Sequence, residues 1–94
     1  MTKLTDAEVE QRLAAAEHWQ RGEHSAIVRQ WTFADFAAAL AFVNGVAALA
    51  EAANHHPDIL LHGWNKVRLT LSTHSEGGLT DSDFELAGQI DRLA

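Results

Sequence analysis

His55 and His56 stand side by side before the chain's only proline, Pro57, and His74 closes an alternating run further on. Imidazole both gives and takes a proton near neutral pH, so three of them point to general acid–base chemistry. Glu51 lies four residues before His55, a spacing that shares one helix face. Its carboxylate is therefore expected to orient the His55 ring. The carboxyl end of a helix carries partial negative charge, which suits a protonated imidazole at positions 55 and 56. His74 falls where a strand enters the loop "SEGGL", and strand-end loops often carry reactive groups. Glu51, His55 and His74 would also make three ligands for a metal with an open fourth position. There is no helical His-x-x-x-His pair, however, and no second helix with its own carboxylate and histidine, so metal-free proton transfer is the expectation. Taken singly, each histidine also fits a solvated role, and His18, His24 and His62 have no evident partners. Trp19, Trp31 and Trp64 read as core or interface residues.

These side chains must be held by the elements around them. "TDAEVEQRLAAA" opens a first helix, with Thr5 and Glu8 as a capping box. Gly22 marks a turn, and "SAIVRQWTF" reads as a strand paired in a hairpin with the segment around Trp19. Thr32 is expected to open a long helix with Asp35 three residues on, its buried stripe being Phe36, Leu40, Val43, Ala47 and Ala50. Pro57 stops that helix, because it pushes His56 out of the α region. "DILLHGWNKVRLTLSTH" supplies two strands split near Gly63. Thr80 with Asp83 caps a last helix carrying Phe84, Ala87 and Ile90. The order α-β-β-α-β-β-α predicts an α+β domain: a four-stranded, mostly antiparallel sheet with three helices on one face.

At 94 residues the chain is one domain, 1–94. Its core is small, and with no cysteine there is no disulfide to reinforce it, so self-association is expected. Thirteen acidic against seven basic side chains give a formal charge of -6. That balance, with no basic run, argues against a nucleic-acid partner. The amino-terminal stretch lacks the apolar core of a signal peptide. The alanine-rich segment from Phe36 to Ala53 reads as a buried helix rather than a membrane span. A soluble, cytoplasmic protein is expected.

The set Glu51, His55-His56-Pro57, Trp64, His74 and Asp83, at these spacings, resembles the signature of the pterin-4a-carbinolamine dehydratases (4a-hydroxytetrahydrobiopterin dehydratases). The likeness extends to Trp19, to "TFADF" and to "NKVRLTLSTH", so it spans nearly the whole chain. The resemblance implies a small α+β enzyme, commonly a homotetramer, needing no metal and no cofactor. Such enzymes remove water from a 4a-hydroxytetrahydropterin and yield quinonoid dihydropterin, as part of tetrahydrobiopterin recycling. It places the pterin against Asn54, His55 and His56 on one side, and against Ser72, Thr73, His74 and Ser75 on the other. Glu51 and Asp83 complete the substrate-binding set. His55 and His74 are then the expected acid–base pair, with His56 positioning the substrate. Two other roles follow from the same likeness: a dimerisation or coactivator-type binding module, and pterin chemistry linked to molybdopterin metabolism.

Overall fold

The computed structural model describes residues 2–94. Thr5 and Glu8 cap the first helix reciprocally: the Thr5 hydroxyl accepts from the Glu8 N–H at 3.2 Å, and the Glu8 carboxylate accepts from the Thr5 N–H at 2.9 Å. Helix α1 (Asp6–Ala15) follows, turning Val9 into the core. Strands β1 (Gln20–Gly22) and β2 (Ala26–Thr32) form a hairpin, and β3 (Asp58–His62) and β4 (Lys66–Leu71) form a second. The hairpins join through β2 and β4, giving one antiparallel sheet in the order β1-β2-β4-β3. Between the hairpins runs α2 (Phe36–Ala53), and α3 (Asp81–Leu93) ends the chain. The expected fold class and element order are those observed.

Alternation explains the sheet. Val67, Leu69 and Leu71 of β4 and Ile27 and Trp31 of β2 point to the helical side and are buried. Lys66, Arg68 and Thr70 lie on the open side, opposite Thr32, Gln30 and Val28. Helices α2 and α3 cover the apolar side with Ala39, Phe42, Val46, Leu86, Ala87 and Ile90. Trp19 closes one end of this core. Its indole N–H donates to Asp91 at 2.9 Å, and the same carboxylate accepts from Arg29 at 2.7 Å.

Two expectations about α2 are corrected. Its amino-terminal cap is Asp35, whose side chain accepts from the Ala38 N–H at 2.8 Å. Thr32 is instead the last residue of β2, paired with Lys66. The buried stripe is Ala39, Phe42, Val46 and Ala50, whereas Phe36 and Leu40 face outward at 50% and 41% exposure. The helix has no charged residue between Phe36 and Ala50, so no polar face fixes its phase in the sequence. By length and composition it could cross a bilayer, yet one side of it packs on the sheet and α3.

Candidate active site

The end of α2 determines where the paired histidines go. Asn54 takes the left-handed conformation, φ 50°, which asparagine tolerates better than most residues. Its N–H reaches back to the Glu51 carbonyl at 3.2 Å, and the His55 N–H to that of Ala50 at 3.1 Å. These two bonds are a Schellman motif. The chain therefore reverses at Asn54, and His55 does not continue the face that carries Glu51.

The carboxylate partners differ accordingly from the expected one. His55 Nε2 lies 2.5 Å from Asp83 Oδ1, and Glu51 pairs with His56 Nε2. Asp83 is fully buried. Its second oxygen accepts from the Thr73 hydroxyl at 2.8 Å and from the Thr80 N–H at 2.9 Å. Thr73 and Thr80 hydroxyls are themselves 2.8 Å apart. One carboxylate thus caps α3, fixes the His55 ring and ties down the residue before His74. A buried carboxylate needs such partners, since an unmet buried acceptor costs about 1–3 kcal/mol.

His74 begins a short 3-10 turn, His74–Glu76, closed by Gly77 in a left-handed conformation. Thr73 and Gly78 pinch that turn with bonds in both directions, at 3.0 and 3.3 Å. Beside it lies a cavity of about 230 Å³ lined by Glu23, His24, Ala26, His56, Asp58, Thr70, Ser72 and His74. That volume falls just under the roughly 300–1,000 Å³ of pockets for drug-sized molecules.

The structure thus brings His56, Ser72 and His74 to one cavity. His55 is not among the lining residues, and its side chain is 15% exposed. Asn54 and Ser75 are exposed beside these segments. Thr73, expected to contact the substrate, and Asp83, expected to support the pocket, both have side chains buried in the network described above. They support the histidine segments from below because each bonds inward. Ser72 donates to the Ser25 carbonyl at 3.1 Å. Trp64 is 61% exposed at the β3–β4 turn, the far end of that hairpin from Asp58. Sequence reasoning did not find Glu23, His24, Asp58 or Thr70. Strand register brings Asp58 opposite Thr70 across β3–β4, and Thr70 opposite Val28 across β2–β4, while Glu23 and His24 come from the β1–β2 turn beyond the Gly22–Ala26 pair.

What the arrangement offers is proton transfer. An imidazole whose Nε2 hydrogen is given to a carboxylate has a fixed tautomer and a free Nδ1. His55 and His56 each have such a partner, and His74 lines the same cavity as His56.

Comparison with known proteins agrees in kind. Residues 2–93 match the family model described as pterin 4 alpha carbinolamine dehydratase. A protein from Chloroflexus aggregans, provisionally named pterin-4-alpha-carbinolamine dehydratase, is 48% identical over 99% of this chain and 98% of its own length. A Chloroflexus aurantiacus protein with the same provisional name is 50% identical, again over 99% and 98%. Among solved structures, a transcriptional coactivator/pterin dehydratase from Brucella melitensis superposes with a TM-score of 0.93. It is 36% identical, with 99% of each chain covered. A pterin dehydratase-like protein, identified as a RuBisCO assembly factor in the alpha-carboxysome, superposes at 0.68. It is 28% identical, over 81% of this chain and 88% of that one.

Proposed function

This chain belongs to the pterin 4 alpha carbinolamine dehydratase family, and on that footing we propose that it dehydrates a 4a-hydroxytetrahydropterin. The observation that carries the reading is the placement of His56 and His74 on one cavity, with the neighbouring His55 held by the buried Asp83. In the reaction the C4a–O bond breaks and the departing hydroxyl takes a proton to leave as water. N5 loses its proton, and that electron pair forms the C4a=N5 bond of the quinonoid dihydropterin. One imidazole supplies the first proton and another takes the second.

The lining favours His56 and His74 as that pair. His55, mostly buried and bonded to Asp83, is the positioning residue, in place of the expected exchange between His55 and His74. A positioned acid or base contributes on the order of 10²–10⁴-fold. His56→Ala and His74→Ala are each therefore expected to lower the dehydration rate by about 10²-fold or more. The assay is stopped-flow on freshly generated carbinolamine. Wild-type rates in both variants would remove the assignment.

Recycling of tetrahydrobiopterin and assembly as a homo-oligomer belong to the same reading. A second reading, a binding module, draws on the exposed apolar side of α2 and on the coactivator and assembly-factor names of the two solved relatives. Intact assemblies without any dehydration would favour it.

A further inference from the structure

We propose that the β1–β2 turn is a wall of this site and that His24 reads the polar substituent at C6 of the pterin. The inference rests on the reading of the cavity as a pterin site. Three separate features of the chain support it.

First, His24 and Glu23 line the cavity together with His56 and His74, although they lie outside the residues that mark the family resemblance. Second, His24 and Ser25 both sit in the left-handed region, at φ 57° and 55°. That conformation costs a non-glycine side chain roughly 1–2 kcal/mol per residue. Asn-Gly or Asp-Gly would form such a turn more easily. Strain retained at a cavity wall is what a functional constraint produces. Third, the turn is tethered: the Ser72 hydroxyl donates to the Ser25 carbonyl at 3.1 Å. The strand end that leads to His74 thus holds His24 in place.

Substrate geometry decides what His24 meets. The reacting atoms, C4a and N5, must face His56 and His74. C6 is bonded to N5, so its substituent leaves the ring on that same edge and passes the outer wall. His24 is that outer wall, with its side chain 94% exposed. An imidazole beside the Glu23 carboxylate, at 3.9 Å, offers hydrogen bonds to the hydroxyls of a short polyol chain and none to a methyl group.

The test compares a 6-(dihydroxypropyl) with a 6-methyl carbinolamine. His24→Gly removes the imidazole while suiting the left-handed backbone, so the fold is protected, and thermal unfolding at or above the wild-type temperature will verify it. The kcat/KM ratio, dihydroxypropyl over methyl, should fall by about five- to tenfold, the worth of one hydrogen bond, with the change in KM. His24→Asn, which tolerates the same backbone and keeps a donor and an acceptor, should restore part of the ratio. An unchanged ratio in His24→Gly would overturn the proposal. If the wild-type chain dehydrates neither compound, the dehydratase reading fails instead. The same ratio is then read as Kd for the two dihydropterins by fluorescence, and a His24→Gly ratio equal to wild type overturns the inference there too.

Discussion

At the scale of single residues, two histidine–carboxylate pairs sit next to each other in sequence and differ in what surrounds them. Glu51 and His56 are 76% and 58% exposed, whereas Asp83 is fully buried against a His55 that is 15% exposed. Exposed ion pairs contribute about 0–1 kcal/mol, so Glu51→Gln should leave urea unfolding within about 0.5 kcal/mol of wild type while lowering kcat through His56. Asp83→Ala strands three polar groups, and removing one partner of such a buried set costs roughly 3–5 kcal/mol. Against a typical total stability of about 5–15 kcal/mol, that variant can fail to fold. Thr73→Val is the milder probe: it removes one donor to the carboxylate and should cost about 1–2 kcal/mol. Equal losses for Glu51→Gln and Thr73→Val would contradict this division. The sequence made the histidines visible, yet it suggested Glu51 for His55. The i, i+4 rule holds only while the helix continues, and Asn54 ends it one residue too early.

At the scale of elements, what was legible followed local chemistry. Both capping boxes, Thr5 with Glu8 and Thr80 with Asp83, stand where the residue types place them. The two hairpins follow the alternation of their strands. Phase along α2 was not legible, because an alanine-rich helix with apolar residues all round offers no polar face to mark the outside. The candidate cavity was half legible. His56, Ser72 and His74 are adjacent to visible element ends, whereas Glu23, His24 and Asp58 arrive only through strand order. The joint between α2 and β3 gives a prediction of its own. Asn54 sits at φ 50°, so Asn54→Gly should be neutral or stabilising by a few tenths of a kcal/mol, and Asn54→Ala should cost about 1 kcal/mol. Thermal unfolding measures both. A stable Asn54→Ala with unchanged activity would mean that the left-handed joint does not set the direction of His55 and His56.

At the scale of the whole molecule, the outward face of α2 is the feature that a monomer explains least. Phe36 and Leu40 on that face, and Ile59 and Leu60 on β3, are each at least 38% exposed. Scattered apolar residues are normal on a surface, but a contiguous apolar helix face marks an interface. A domain of this size also buries a smaller fraction of its surface than a larger one. A second copy covering α2 would answer both points. Leu40→Glu places a charge in the middle of that face, and the expected result is a shift from oligomer to monomer in sedimentation velocity. Salt gives the sign of the driving force. Each chain carries a formal -6, so copies repel one another at low ionic strength, and screening removes that repulsion within a Debye length of about 8–10 Å. Association through apolar surface should therefore strengthen as salt rises, whereas association through ion pairs would weaken. The cavity with His24, His56 and His74 is lined within one chain, so monomeric Leu40→Glu should still bind a dihydropterin. A wild-type chain that stays monomeric at every concentration and salt would overturn this account of α2, and a monomeric variant that loses pterin binding would mean that the neighbouring copy helps to build the site.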